Sequence, residues 1–209
     1  MPQHSTMETL LDRASAGDAE AWGALLTHYQ ERLSGVASFR LDPRLRGRVD
    51  AADVLQQAFL AATERREEFF EQSAQSLFLW LRWMVGNTLL DLHRHHLGVQ
   101  MRDARRETSN GDDSTRTALV AQLTCGVTGP ATAAGKQEVK ARVNDALGRL
   151  DATDREVIAL RHFEQLTSAE TAQVLEIQER AAAKRYLRAL ERLRELLAEM
   201  PGGLTGLRP

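Results

Sequence analysis

Apolar residues recur along this chain at three- and four-residue intervals, and nowhere does the strict alternation expected of a strand persist. The pattern predicts an all-α protein with two helical blocks, one from about Thr9 to His96 and one from about Gln137 to Met200. Between them, RETSNGDDSTRTALVAQLTCGVTGPATAAGK is rich in Gly, Ser, Thr, Asn and Asp, contains Pro130, and holds a weak apolar pattern only at TALVAQL. This stretch reads as a flexible linker carrying one short helix. The expected organisation is a first domain over 1–97, a linker over 98–136, a second domain over 137–200, and a tail over 201–209 that frays.

The second block is punctuated by helix-start signals. Thr153 followed by Glu156, and Thr167 followed by Glu170, each have capping-box spacing; they open DREVIALRHF and the short SAETAQVL. After the tight connection EIQ a longer helix begins near Glu179. A short helix, a turn and a longer helix with outward basic side chains is the helix-turn-helix arrangement, whose second helix enters the major groove. On that helix Ala183, Tyr186, Leu190, Leu193 and Leu197 form one stripe, and Lys184, Arg185, Arg188 and Arg192 fall opposite. From Arg180 to Arg194 there are six cations and one acid, Glu191, whereas a merely solvated helix mixes both signs.

Two helices of the first block carry faces that a self-contained bundle does not need. In VDAADVLQQAFLAATERREEF the stripe Leu55, Phe59 and Ala62 reads as core, and Asp53, Gln56, Gln57, Leu60 and Glu64 share the other side. In LFLWLRWMVGNTLLDLHRHH the core stripe is Leu77, Leu81, Met84, Val85 and Leu92, while Trp83, Asn87, Leu90 and Arg94 occupy a different ridge. A ring, an amide and a guanidinium on one ridge suit single-stranded nucleic acid, although the pattern alone favours packing of Trp83 and Leu90 against another helix of the bundle. His93, His95 and His96 lack nearby Cys or a companion carboxylate pattern, so they read as polar residues at a helix end rather than as a metal site.

Composition narrows the function classes. The apolar fraction of 43% supports genuine cores. The N-terminus lacks a basic segment followed by a long apolar run, and the most apolar stretch is interrupted by Arg82 and Asn87, so no export signal or membrane span is expected. A single cysteine, Cys125, precludes an internal disulfide and suits a reducing cytoplasm. The net charge of −2 is unlike that of a nucleic-acid binder, but residues 1–97 hold ten basic and thirteen acidic side chains while the C-terminal run is strongly positive. Local charge, not the total, meets a phosphate backbone. No paired carboxylates, nucleophile with base or phosphate-cradling glycine loop stands out, so neither catalysis nor a cofactor is expected.

Taken in order, these motifs resemble those of the extracytoplasmic-function (ECF) sigma factors of bacterial RNA polymerase, the two-domain members of the sigma-70 class. The match runs from DAEAWGALLTHYQERL to ERLRELL. DVLQQAFLAA resembles the family's helix that docks on the polymerase clamp helices, which implies polymerase-binding roles for Asp53, Gln56, Gln57, Phe59 and Leu60. WLRWMVGNTLLDLHR resembles the segment that captures the melted minus-ten element, which implies that Trp83, Asn87, Asp91 and Arg94 hold DNA. LDATDREVIALRHFEQLTSAETAQVL with KRYLRALERLREL resembles the domain that reads the minus-thirty-five element as duplex, through Arg180, Ala181, Lys184, Arg185 and Arg188. HRHHLGVQMRD and KRYLRALERL resemble planctomycete members in particular. The expected partners are core polymerase and promoter DNA, with room for an anti-sigma factor. The linker, with Asp103, Glu107, Asp112 and Asp113, would pass through the polymerase active-site and RNA-exit channels.

Four departures from the family pattern stand out. Glu176 occupies a turn position usually held by Gly, Gln178 is a poor helix cap, Ala181–Ala183 replace more varied side chains, and Gly86 replaces a common Arg beside Asn87. Two other readings fit parts of the pattern. A stand-alone helix-turn-helix regulator would shift duplex DNA by itself, whereas a sigma factor binds promoters tightly only with core enzyme. A helical adaptor with a basic face would bind no DNA.

Overall fold

The computed structural model describes residues 3–42, 44–72, 76–97, 105–124 and 133–199, and among them all regular structure is helical. The linker stretches 98–104 and 125–132, with Asp103, Cys125 and Pro130, and the tail 201–209 lie outside the described residues, as do the side chains of Glu107, Asp112 and Asp113. The chain forms two compact units, residues 1–38 with 47–98 and residues 39–46 with 99–209. Among the described residues no helix is long and apolar enough to cross a membrane.

The first unit contains α1 (Gln3–Ser15), most of α2 (Ala19–Arg40), α3 (Ala51–Glu64), α4 (Arg66–Gln72) and α5 (Leu77–Leu97). Gly17, at φ 96°, ends α1 with the paired bonds Gly17 N–H to Ala14 O and Asp18 N–H to Arg13 O. Asp18 then starts α2 by accepting from Glu20 and Ala21 N–H at 2.9 and 3.1 Å. Those backbone donors, with Arg13, hold its carboxyl below the usual carboxylate range. Packing of α3 on α5 buries Val54, Leu55, Ala58 and Ala62 against Leu77, Leu81, Met84 and Val85. A cluster of Trp22, Phe69, Phe70 and Trp80 closes one side, with ring centroids 5.0–6.4 Å apart. The Trp22 indole N–H satisfies itself on Thr63 Oγ1 at 3.0 Å.

The second unit contains α6 (Arg105–Thr124), α7 (Ala133–Gly148), α8 (Ala152–Ile158) continuing into a π-helical turn over Ala159–Phe163, α9 (Ser168–Val174) and α10 (Glu179–Ala198). The short helix expected at TALVAQL is part of the 20-residue α6, and its Ala118, Leu119 and Val120 are buried with Val143, Leu147, Val157, Ile158, Leu193 and Leu196 in one core. Two arginines, Arg155 buried and Arg40 partly buried, lock α8 in place. Arg155 donates from Nη1 to Leu147 O at 2.6 Å and to Leu150 O, supplying partners for the carbonyls where α7 ends. Arg40 donates to Glu164 at 2.6 Å, to both oxygens of Glu156 at 2.5 and 3.1 Å, and to Thr115 Oγ1 at 2.6 Å. Burial works against its charge, but the two carboxylates outweigh burial and its pKa is raised.

This network corrects one expectation. Glu156 is committed to Arg40, so Thr153 and Glu156 form no capping box; α8 starts two residues earlier, with Asp151 accepting from Asp154 N–H at 2.7 Å. The second signal holds. Thr167 Oγ1 accepts from Glu170 N–H at 3.1 Å, and Thr167 N–H donates to the Glu170 carboxylate at 2.8 Å.

The turn from α9 to α10 repeats the bond pattern that ends α1: Glu176 N–H to Gln173 O and Ile177 N–H to Ala172 O. Glu176 stands where α1 has glycine and takes the same left-handed conformation, at φ 53°. A side chain there costs about 1 kcal/mol relative to glycine. Glu176→Gly should therefore raise the unfolding free energy of the second unit by about 0.5–1 kcal/mol, read from urea unfolding, the gain being reduced by the greater freedom of glycine in the unfolded chain. An unchanged or lowered midpoint would show that the turn carries no such strain.

Candidate functional site

In the second unit α10 crosses α8 and α9 with Ala182 and Ala189 completely buried, flanked by Leu193, Leu196 and Leu197. Small side chains at 182 and 189 let the helix backbones approach closely. At about 100° per residue, this buried stripe is rotated roughly 50° from the one expected through Ala183, Tyr186 and Leu190, which are half-buried instead. The solvent face shifts with it.

Arg180, Ala181, Lys184 and Arg188 are exposed on that face. Arg185 lies at its edge, half-buried, with Nε 3.7 Å from Asp154 Oδ1. Burial raises the Asp154 pKa, the Asp151 charge adds to the rise, and Arg185 and Arg192 oppose it. Gln178 makes no side-chain bond to the first turn, consistent with its being a poor cap. On the core side Arg161 lies 5.4 Å from the Tyr186 ring and donates to Leu166 O. Sequence reading missed Leu187, which is 65% exposed on the cationic face.

In the first unit, Asp53, Gln56, Gln57 and Leu60 share one exposed ridge of α3, with Phe59 half-buried at its margin. Asp53 also has a structural duty: its carboxylate accepts from Asp50 N–H at 2.9 Å, while Asp50 accepts from Asp53 N–H, so these two form the capping box that starts α3. Leu60 is 60% exposed.

On α5 the ridge Trp83, Asn87, Asp91 and Arg94 is presented together, Asn87 being half-buried and Asp91 pairing with Arg94 at 3.3 Å. Trp83 and Leu90 are 47% and 43% exposed, so the expectation that they pack on a neighbouring helix does not hold. The Trp83 ring instead carries the Arg65 guanidinium 5.5 Å from its centroid. Nothing in the sequence around Arg65 signals this contact, which arises only when α3 and α5 pack together. A Cβ at Gly86 would meet nothing within 4 Å, so packing does not require the glycine beside Asn87. His93 and His95 lie in the last turns of α5. The His96 side chain lies outside the described residues.

Two family models match the chain: Sigma-70 region 2 over residues 25–97 and Sigma-70 region 4 over residues 140–201. RNA polymerase sigma factor NccH of Alcaligenes xylosoxydans xylosoxydans is 30% identical over 199 residues, covering 94% of this chain and 97% of its own. ECF RNA polymerase sigma-E factor of Haemophilus influenzae is 26% identical over 191 residues, covering 91% and 95%. The solved structure of CnrH in complex with the cytosolic domain of CnrY has a TM-score of 0.52 at 25% identity, covering 93% of this chain and 99% of that one.

The raised pKa of Asp154 fixes the sign of a pH effect. Its proton is held more tightly in the folded than in the unfolded chain, so this group lowers stability as pH rises from the ordinary carboxylate value through the raised one. Asp154→Asn should flatten that part of the stability curve when unfolding is followed between about pH 3 and pH 7. A curve parallel to wild type would locate the effect in another carboxylate.

Proposed function

Because the chain belongs to the sigma-70 family, as an ECF sigma factor that directs bacterial RNA polymerase to promoters, we propose that its exposed ridges divide that work among three contacts. The proposed domains are 1–97 and 137–200, joined by a segment over 98–136 whose α6 packs into the core of the second unit. The α10 face reads the minus-thirty-five element as duplex: Arg180, Lys184 and Arg188 in the major groove, Ala181 close to the bases, and Arg185 beside them. What carries this reading is the one-sidedness of α10, whose alanine-lined stripe is sealed in the core while its cations face out.

The α5 ridge holds the melted minus-ten strand. Trp83 offers a ring for a base, Asn87 an edge for reading it, and Arg94 a charge for phosphate, with Asp91 orienting Arg94 through their ion pair. The α3 ridge meets the polymerase clamp through Gln56, Gln57 and Leu60, with Phe59 beneath. Asp53 acts there both as a surface group and as the cap that starts the helix. The chain works in the cytoplasm as a binding subunit rather than an enzyme. The complex of CnrH with the cytosolic domain of CnrY supports a protein partner of anti-sigma type for this chain too.

Two measurements separate these surfaces. Lys184→Ala with Arg188→Ala should weaken promoter binding by the holoenzyme. Truncating a side chain that meets phosphate should lower the salt slope by about one, and truncating one that meets a base should cost about 1–3 kcal/mol at one promoter position. Unchanged affinity and slope would remove α10 from the reading. Gln57→Ala with Leu60→Ala should abolish pull-down of core polymerase while leaving helicity intact, because both side chains are exposed and neither caps a helix. Persistent binding would place the clamp-binding surface on another face.

A further inference from the structure

We infer that Leu187 reads sequence by packing on the C5-methyl group of a thymine in the duplex element. This rests on the reading of α10 as the duplex-reading helix. At 65% exposure Leu187 is more open than Leu60, Trp83 and Leu90. By helical phase it lies about 20° from Arg180 and about 60° from Lys184, on the solvent face about 45° from its centre line and well away from the stripe of Ala182, Ala189 and Leu193. The roughly 50° rotation of the buried stripe is what brings it there, since the expected stripe would have left Leu187 at a margin.

Its surroundings indicate what covers it. Its neighbours one turn away are Lys184 and Glu191, exposed and charged, and Ala183 and Leu190, half-buried; among the described residues no second exposed large apolar side chain on α10 extends it into a patch fitted to another protein. A surface dominated by cations with one exposed large apolar side chain among them is complementary to phosphates flanking one apolar group. In the major groove only thymine presents such a group. Leu187 lies eight residues beyond Glu179, about 12 Å along the helix axis, and the groove is about 12 Å wide, so Lys184 and Leu187 fall within one crossing. Cytosine at the same place would supply no methyl and would set its amino donor against the leucine. With Ala181–Ala183 offering only methyl groups, Leu187 is the large exposed apolar side chain that α10 offers for discrimination.

The test uses the holoenzyme assembled with core polymerase. A promoter is selected from a pool randomised across the upstream element, and each thymine of the selected element is then replaced in turn by uracil, which removes only the methyl. Wild-type holoenzyme should lose about four-fold in affinity at one thymine, the effect of one buried methyl-sized group. Leu187→Ala should lose a similar factor on the thymine duplex and be indifferent to uracil there. Uracil effects identical in wild type and Leu187→Ala, no uracil effect in either, or a selected element without thymine would overturn the inference. If Lys184→Ala with Arg188→Ala binds the selected duplex like wild type, α10 is not the reading helix, and the broader reading fails with this one. If that double variant binds weakly while Leu187→Ala keeps the thymine sensitivity, only the role of Leu187 falls.

Discussion

Glu176 holds the left-handed conformation that turns the chain from α9 into α10, and the place of every outward side chain on α10 follows from it. The two backbone bonds across the turn, to Ala172 O and Gln173 O, fix the direction in which α10 leaves. Given that direction, Ala182 and Ala189 meet the helices beneath, and the cations are left in water. At the end of α1 the same bonds form around Gly17, where the conformation comes without a side-chain penalty. The strain at Glu176 is offset by the apolar packing that α10 makes along its length, from Ala182 to Leu197.

That packing needs a rigid floor, and buried charge supplies it. Arg155 ties the end of α7 to α8 through two carbonyls, and Arg40 joins Glu156 to Glu164 across the π-helical turn. Replacing such a group with an apolar one of similar size is often harmless to stability, whereas removing one partner alone leaves a buried charge uncompensated. The network ties α8 and the residue after the π-helical turn to the same guanidinium and so fixes their relative orientation. The π-helical turn itself, with Glu164 N–H reaching back to Ala159 O, carries Phe163 into a stacked arrangement with Phe39 at 5.0 Å.

What could be read in the sequence was what depends on neighbours along the chain. The Thr167–Glu170 box, the helix-turn-helix order, the weak cap at Gln178 and the α5 core stripe are all local or periodic, and all appear in the structure. The Thr153–Glu156 signal failed because Arg40, more than a hundred residues away, takes the glutamate. The phase of α10 was misjudged because its deepest residues are alanines, which weigh little in a hydrophobic pattern although they are completely buried. Trp83 and Leu90 were expected to pack because they are large and apolar. Part of that unit's core is already filled by the Trp22, Phe69, Phe70 and Trp80 cluster, and the two remain exposed on α5. In α6 a polar, glycine-containing composition concealed a helix whose C-terminal half is fixed by tertiary burial of Ala118, Leu119 and Val120.

The cations of α10 are sorted by their distance from Asp154. That carboxylate is largely buried beneath one edge of the helix, where Arg185 pairs with it and Arg192 lies close enough to influence its charge. Both arginines are therefore partly answered within the protein, and a phosphate near them competes with an internal partner. Arg180, Lys184 and Arg188 lie farther round, exposed toward the centre of the face, where a ligand's charge can pair with them without breaking that internal pairing. The positive field of α10 is therefore stronger along the middle of its exposed face than at the Asp154 edge. A net charge of −2 is compatible with binding a polyanion for this reason: the field is decided by where the cations lie and which of them pair within the protein, not by how many the chain contains.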